Sequence, residues 1–310
     1  MALLDEGAKG VYVIAVTPFT EDGALDLPST DRMVDFYLEK GATGLTVLGM
    51  MGEAPKLTAE ESRIFVRRVL ARVQGRVPVV VGVSAPGFAA MRELSDSVMA
   101  DGAAGVMVAP PASLRTDDQI VSYYDMVSRT LGPKNPFVLQ DFPLVTNVQI
   151  ASSVILRIVA AQPSCVMLKH EDWPGLAKIS ALRAASDKNG GRRISILVGN
   201  GAMFLPEELS RGADGAMTGF AYPEMMVDVW KAHAAGEVER AHDLFDAYLP
   251  LARYEQQPGH GLAIRKYLLA KRGAIASGMV RSPGSTLSAA DIADIERLVA
   301  RQARRLKEIN

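Results

Sequence analysis

Cysteine is almost absent from the sequence, and histidine is scarce. The single cysteine, Cys165, cannot form a disulfide bond within the chain, and it excludes metal sites built from several cysteine ligands. We interpret it as a small buried residue on a strand. The four histidines lie at 170, 233, 242 and 260 and lack the spacing of zinc enzymes, so we expect no metal site.

Long apolar runs and a large net charge are also missing. No uncharged apolar stretch reaches the ~18 residues that a transmembrane helix needs, so we expect no membrane span. The net charge is −1, which gives no reason to expect a nucleic-acid partner. The N-terminal segment MALLDEGAKG has no apolar core of signal-peptide length, which favours a cytoplasmic protein.

Short apolar runs alternate with longer helical segments along the first two thirds of the chain. The runs predicted to be strands are 11–16, 43–49, 77–84, 105–110, 136–142, 165–169, 194–200 and 214–220. The helices predicted between them are 28–40, 58–74, 87–101, 116–131, 149–161, 174–188 and 202–211. Because the strands are continuously apolar rather than alternating, they are typical of a parallel sheet covered by helices.

A Gly-x-x-Gly unit recurs between helix and strand, at 41–44, 102–105 and 212–215. Its first glycine suits a left-handed helix C-cap, and its second lets the chain enter the sheet. Eight strand–helix units predict an α/β fold, a TIM (β/α)8 barrel over residues 1–220, with an open doubly wound sheet as the alternative. Residues 221–310 are predicted to form a C-terminal helical extension, with helices at 224–235, 237–254, 260–272 and 288–307.

The predicted sixth strand ends in Lys169, and His170 and Glu171 follow it. Active sites of TIM barrels lie at the C-terminal ends of the strands. Removal from water favours the neutral amine of a lysine, which can attack a carbonyl and form a Schiff base. A structural lysine paired with Glu171 or Asp141 is the alternative. Since alternate residues share a face, Glu171 is expected to point with Lys169 and His170 away from it.

Glycine-rich turns follow three other strands. The candidates for substrate binding in these turns are Gly49, Met50, Met51, Gly52, Gly199, Asn200 and Gly219. Glycines on both sides of a turn let successive backbone N–H groups converge on one point, and such a nest binds a carboxylate without side chains. For the 49–52 turn, the alternative is an ordinary strand–helix turn whose two methionines pack inward.

Together these motifs resemble the dihydrodipicolinate synthase / N-acetylneuraminate lyase family of Schiff-base lyases. The resemblance covers nearly the whole chain and rests on Thr17-Pro18-Phe19, Gly23, Asp26, Gly49 to Glu53, Leu57-Thr58, Glu61, Gly75 to Val79, Gly82, Lys169, Gly199, Gly219, Pro223, Lys266, Gly273 and Arg281 to Pro283. It implies a TIM barrel with a helical C-terminal domain and a Schiff base at Lys169. It also implies a small 2-oxo acid substrate, no metal or organic cofactor, and a homotetramer or homodimer.

Several positions depart from the pattern of the synthase. Gln140 stands where the family has the tyrosine of a Tyr-Asn-x-Pro motif, and Met50-Met51 replace its Thr-Thr pair. Val145 and Ala112 replace a substrate-binding arginine and a tyrosine lent to a neighbouring subunit. Because methionine and glutamine cannot relay a proton as a phenol does, these changes argue against dihydrodipicolinate synthesis.

The departures are similar to those of 2-keto-3-deoxy sugar-acid dehydratases, such as the enzyme acting on 2-keto-3-deoxyarabonate. In this hypothesis Lys169 forms the imine, Glu171 is the general acid and base, and Gln140 orients the substrate. His170 and Asp141 would contact the residues of the site rather than the substrate itself. The alternatives are an aldolase or synthase of the same family, including 4-hydroxy-tetrahydrodipicolinate synthase, and a non-catalytic barrel that binds a sugar acid.

Overall fold

The eight apolar runs form the eight parallel strands of one closed barrel. The structure is a computed structural model, and it describes residues 2–173 and 175–309. The strands are β1 (Gly10–Ile14), β2 (Gly44–Val47), β3 (Val79–Gly82), β4 (Gly105–Val108), β5 (Phe137–Asp141), β6 (Cys165–His170), β7 (Ser195–Val198) and β8 (Gly215–Ala216). Each strand pairs with the next and β8 pairs with β1, so the TIM barrel is confirmed and the open sheet is wrong.

Helices surround the barrel and continue beyond it. They are α1 (Leu27–Glu39), α2 (Ala59–Val73), α3 (Phe88–Ala100), α4 (Asp117–Leu131), α5 (Pro143–Thr146), α6 (Ser152–Ala161), α7 (Leu176–Asn189), α8 (Leu205–Ser210), α9 (Pro223–Ala234), α10 (Val238–Glu255), α11 (Gly261–Lys271) and α12 (Ala289–Ile309). Thr58 and Glu61 form the predicted capping box of α2, and Ser288 caps α12 by accepting a hydrogen bond from the Asp291 N–H.

Two elements differ from the sequence prediction. The short helix α5 has no counterpart in the predicted pattern; Pro143 suits its first position, and Asn147, with φ 57°, ends it. As a result the helix predicted from 149 begins only at Ser152. β8 has two residues rather than the seven predicted. The chain beyond it still bonds to both neighbouring strands, because the Met217 N–H donates to the carbonyl of Val198 and the Ile14 N–H donates to the carbonyl of Thr218.

The Gly-x-x-Gly units have the predicted geometry. Gly41, Gly102 and Gly212 have φ values of 86°, 102° and 96°, which lie in the left-handed region that favours glycine. The second glycine of each unit begins β2, β4 or β8. At Gly44 a Cβ atom would lie 2.4 Å from the ring of Tyr12, so β1 and β2 pack too closely there for any side chain.

Apolar side chains pack on both faces of the strands. Inside the barrel, Ile14, Val80, Met107, Val138 and Met167 belong to one buried cluster. A larger cluster fills the space between the strands and the surrounding helices. Burial on both faces explains why the strands are continuous apolar runs in the sequence.

The helices after β8 begin by completing the ring around the barrel. α9 contacts both β1 and α8, so it occupies the place of the eighth barrel helix, and α10 then packs against α9 and α12. The division into residues 1–220 and 221–310 therefore stays an interpretation of the sequence. None of the helices described by the structure is long and apolar enough to cross a bilayer.

A buried carboxylate joins the barrel mouth to the C-terminal helices. Glu53, with φ 56°, accepts hydrogen bonds from Lys266 Nζ at 2.7 Å, Lys56 Nζ at 2.9 Å and the Arg281 N–H at 3.0 Å. The Lys266 amine also lies 4.4 Å from the ring centroid of Phe19. Burial lowers the pKa of Lys266 to about 8 while Glu53 opposes the shift, so the lysine is still charged at pH 7.

Replacing Lys266 by methionine should destabilise the fold, because the buried carboxylate of Glu53 would lose its closest cation. We expect the free energy of unfolding to fall by about 3 kcal/mol. The matched control is Lys271→Met, which breaks the exposed pair with Glu296 and should cost less than about 1 kcal/mol. Urea unfolding followed by circular dichroism measures both, and equal losses in the two variants would contradict the assignment.

Candidate functional site at the barrel mouth

The ends of β5 and β6 lie side by side at the mouth of the barrel. Their register pairs Gln140 with Lys169 and Asp141 with His170. Since neighbouring residues in a strand point to opposite faces, one pair faces the barrel mouth and the other faces the helices. This separation is the one that the sequence predicts.

Three polar side chains meet on the inner side. Glu171 Oε2 lies 3.0 Å from Lys169 Nζ and accepts a hydrogen bond of 2.7 Å from Gln140 Nε2. Each of the three side chains is buried, with about 5% of each residue exposed. Asn200 Nδ2 donates to the main-chain carbonyl of Glu171 at 3.0 Å. Glu171 thus shares the face of Lys169, as the sequence pattern predicts, and Gln140 joins them, so that one carboxylate oxygen contacts both an amine and an amide.

Gly199 makes room for this carboxylate. A Cβ atom at Gly199 would lie 2.2 Å from Glu171 Cγ, which leaves no space for a side chain. Its N–H donates to the carbonyl of His170 at 2.8 Å, so this N–H is already used inside the protein. The sequence places Gly199 among the substrate-binding candidates. Direct substrate contact by Gly199 or Asn200 stays a prediction, whereas their contacts with Glu171 are structural.

Charged side chains also meet on the outer side of the same two strands. Lys178 Nζ lies 2.8 Å from both Asp141 Oδ2 and Asp172 Oδ2, and His170 Nδ1 lies 3.6 Å from Asp141 Oδ2. Burial alone would raise the pKa of Asp172, but the hydrogen bond from Lys178 lowers it below its usual range. Lys178 was not among the residues predicted to belong to the site. Its ammonium group bridges the carboxylates of Asp141 and Asp172 on the face of the strands away from the barrel mouth.

The turn after β2 is the segment predicted to form an anion nest. Residues Met50–Gly52 form one 3₁₀ turn, and Thr17 Oγ1 donates to the carbonyl of Gly52 at 2.5 Å. Within the described part of the chain, the backbone N–H groups of Met50 and Met51 have no acceptor. Met51 packs against the cluster inside the barrel, whereas Met50 is 52% exposed. The inward-packing alternative therefore holds for Met51 alone.

A cavity of about 520 Å³ opens between this turn and Gln140. It is lined from the segments that follow β2 to β5, and its lining includes Gly49, Met50, Ser84, Pro86, Ala109, Gln140, Phe142, Val145 and Thr146. Phe142 and Thr146 belong to the segment around α5, whose helix the sequence pattern does not predict, and neither residue was among the candidates for the site. The size suits a small molecule reaching from the turn to Gln140, and Gln140 connects the cavity to Lys169 through the carboxylate of Glu171.

Gly219 lies against a second buried ion pair rather than at the cluster of Lys169. Its carbonyl accepts a hydrogen bond of 2.5 Å from Arg265 Nη2, and Arg265 Nε donates to Glu255 Oε1 at 2.5 Å. A Cβ atom at Gly219 would lie 2.2 Å from Arg265 Nη1, so the absence of a side chain admits the guanidinium. A substrate contact of Gly219 stays a prediction.

Cys165 is fully buried on β6, and burial raises the pKa of its thiol to about 12. A thiol of this kind is protonated at neutral pH and is a poor nucleophile, which agrees with its interpretation as a packing residue. No group of three or more histidine, cysteine or acidic side chains suited to a metal ion occurs among the residues the structure describes.

Comparisons with known proteins match nearly the whole chain to one protein family. A model of the Dihydrodipicolinate synthetase family matches residues 7–302. The chain is 31% identical over 281 residues to L-2-keto-3-deoxyarabonate dehydratase of Azospirillum brasilense, covering 89% of this chain and 88% of that protein. It is 31% identical over 247 residues to 4-hydroxy-tetrahydrodipicolinate synthase of Sorangium cellulosum (strain So ce56), covering 78% and 79%.

A solved structure is similar at higher identity. The crystal structure described as dihydrodipicolinate synthase from Rhodopseudomonas palustris has a TM-score of 0.95 and 51% sequence identity, and the match covers 97% of this chain and 100% of that one. One of the three relatives thus carries the name of a dehydratase and two carry the name of a synthase. The names alone do not decide between the two reactions.

Gly199→Ala should displace Glu171, because the new methyl group would overlap the carboxylate side chain. We expect overpacking to lower the free energy of unfolding by about 1–3 kcal/mol. The matched control repeats the substitution in a Glu171→Ala background, where the overlapping atoms are gone and the cost should be small. Chemical unfolding of the four proteins of this cycle gives the coupling energy. A cost that is the same in both backgrounds would disprove the contact.

Proposed function

Since the chain belongs to the dihydrodipicolinate synthetase family, we propose that it is a lyase that acts on a 2-oxo acid through a Schiff base at Lys169. The reaction we favour is dehydration of a 2-keto-3-deoxy sugar acid, such as 2-keto-3-deoxyarabonate. The observation that carries the proposal is the placement of Glu171 Oε2, 3.0 Å from Lys169 Nζ, at the mouth of the barrel. An amine and a carboxylate at this distance can exchange a proton.

The first step is formation of the imine. Glu171 accepts a proton from the Lys169 ammonium, and the neutral amine attacks the C2 carbonyl of the substrate. Glu171 then returns that proton to the C2 hydroxyl of the carbinolamine, which leaves as water, so a protonated imine forms between C2 and Nζ and the Glu171 carboxylate is restored. The C1 carboxylate of the substrate would lie on the nest at Met50 and Met51, whose backbone N–H groups have no acceptor in the described chain.

Dehydration follows from the charge of the imine. The imine makes the C3 protons acidic, and Glu171 as a carboxylate removes one to give an enamine. The enamine electrons return to form a C3–C4 double bond as the C4 hydroxyl departs, and Glu171 supplies the proton that makes it water. Hydrolysis of the imine then frees Lys169, so the net change is the loss of one water with every carbon kept.

Gln140 is the position that most favours this reaction over condensation. Its amide donates to Glu171 at 2.7 Å and orients the carboxylate, but an amide cannot carry a proton between substrates. Val145 and Ala112 likewise offer neither the arginine nor the tyrosine that the synthase resemblance requires. The 31% identity to the Azospirillum brasilense dehydratase also favours dehydration over condensation.

Condensation or aldol chemistry at the same lysine is the second candidate, and the 51% identity to the Rhodopseudomonas palustris structure favours it. Product analysis separates the two, because dehydration retains all carbons whereas aldol cleavage releases pyruvate. Efficient condensation of pyruvate with aspartate semialdehyde would instead establish the synthase. A non-catalytic sugar-acid-binding barrel would form no imine at all. A homotetramer or homodimer stays a prediction.

Borohydride should trap the imine on Lys169. With a 2-oxo acid present, we expect an irreversible mass increase on the peptide that carries Lys169 and none on other lysine peptides, measured by mass spectrometry. Lys169→Ala should lose capture and essentially all turnover. Lys169→Arg is the matched control, because it keeps the positive charge beside Glu171 but supplies no nucleophilic amine. Turnover that survives in either variant would rule out the mechanism.

Glu171→Gln should separate imine formation from dehydration. The amide is nearly isosteric with the carboxylate but cannot take the C3 proton, so we expect turnover to fall about 10²–10⁴-fold. Capture at Lys169 should become slower but still go to completion, because water can take the ammonium proton during a long incubation with borohydride. Gln140→Ala serves for comparison and should mainly raise KM, since it removes only an orienting hydrogen bond. Single-turnover kinetics on a 2-keto-3-deoxypentonate measures both. Near-normal turnover in Glu171→Gln would show that a group other than Glu171 transfers the proton.

A further inference from the structure

The main chain of Glu171 is bonded at both of its peptide groups, just beyond the end of β6 at His170. The Glu171 N–H donates to the carbonyl of Asp141 at 2.8 Å, which extends the pairing of β5 with β6 by one step. The Glu171 carbonyl accepts a hydrogen bond of 3.0 Å from Asn200 Nδ2. These two bonds fix the point from which the carboxylate side chain extends into the barrel mouth.

The bond from Asn200 replaces one that the sequence makes impossible. In a parallel ladder, a residue that donates to one position of the neighbouring strand accepts from the residue two positions further along that strand. Because Glu171 donates to Asp141, its carbonyl would accept from the N–H at position 143. That residue is Pro143, which has no N–H. The side chain of Asn200, on the turn after β7, supplies a donor in its place.

The turn that carries Asn200 has an unusual backbone. Asn200, Gly201 and Ala202 have φ values of 50°, 65° and 60°, so three successive residues lie in the left-handed region. Asparagine and glycine adopt this region readily, whereas alanine is strained there and needs the surrounding structure to enforce it. The Gly201 N–H donates to Thr218 Oγ1 at 2.9 Å, and a Cβ atom at Gly201 would lie 2.1 Å from Gln256 Nε2. These contacts hold the turn in one place and direct the Asn200 amide at the end of β6.

We propose that Asn200 is a positioning residue, which orients the general acid and base through the main chain of Glu171. This inference rests on the proposed function, in which Glu171 removes the C3 proton and returns it to the C4 hydroxyl. Two transfers at neighbouring atoms need a well-placed carboxylate, and a displacement of about 1 Å can lower a rate about 100-fold. Asn200 is also predicted to bind the substrate directly. The two roles differ in their consequence, because loss of positioning lowers kcat whereas loss of a substrate contact raises KM.

Asn200→Gly removes the amide, and glycine keeps the left-handed backbone of the turn. We expect kcat on a 2-keto-3-deoxypentonate to fall about 10–100-fold, with KM changed less than about twofold. The matched control is Asn135→Ala, which deletes a bond of 2.7 Å from an asparagine amide to the carbonyl of Leu131 at the opposite end of β5. The control should leave both constants unchanged. An unchanged kcat in Asn200→Gly, or a higher KM alone, would overturn the inference.

Asn200→Asp separates the donor from the backbone of the turn. Aspartate has nearly the same shape and tolerates the left-handed region, but its ionised carboxylate cannot donate a hydrogen bond to a carbonyl. We expect kcat to fall at least as far as in Asn200→Gly, measured by the same steady-state kinetics on protein shown by circular dichroism to be folded. Normal turnover in Asn200→Asp would contradict the role of the amide as a donor.

A cycle with Glu171→Gln tests whether Asn200 acts through Glu171. Once the carboxylate is gone its position no longer matters, so adding Asn200→Gly should lower kcat by less than about a further twofold in single-turnover kinetics. The same fold-loss with and without Glu171→Gln would disprove the inference and leave the imine and the general base unaffected. Near-normal turnover in Glu171→Gln alone would instead refute the proposed role of Glu171, and the inference with it.

Discussion

Successive side chains of a strand point to opposite faces, and the site depends on this constraint more than on any single contact. At the ends of β5 and β6 it sends Gln140 and Lys169 into the barrel mouth and Asp141 and His170 toward the helices. A shift of one residue in either strand would exchange the two sets. The chemistry available at the mouth is thus chosen by strand register, which the apolar packing inside and outside the barrel maintains.

The glycine turn opposite Lys169 depends on support from far along the chain. Its N–H groups can serve an anion only while the turn keeps its shape, and Glu53 closes that turn in a left-handed conformation. Lys266 and Arg281 hold the Glu53 carboxylate from the C-terminal region. The helical extension therefore contributes to the site without touching the cavity, because it fixes the backbone that would meet the substrate.

The features that could be predicted from the sequence are those determined by residues close together in the chain. The barrel, the capping box at Thr58 and the shared face of Lys169 and Glu171 all follow from residue patterns over short stretches. The helix α5 was not predicted because four residues are too few to show a helical period. The partners of Glu53 could not be predicted for another reason. Lys266 lies 213 positions away in the chain, and no periodic pattern indicates a contact over that separation. The fit of Gly199 against Glu171 depends on distances that only folding brings together.

The cavity-lining residues of α5 and the residues proposed to do the chemistry lie on different elements. Val145 stands on a four-residue helix outside the strand ladder, whereas Lys169 and Glu171 are fixed by the barrel. Substitutions on α5 can accumulate without disturbing strand pairing or the reactive amine. Related chains can therefore diverge toward new substrates by small changes in this segment, and overall similarity then records the inherited barrel more faithfully than it records the reaction.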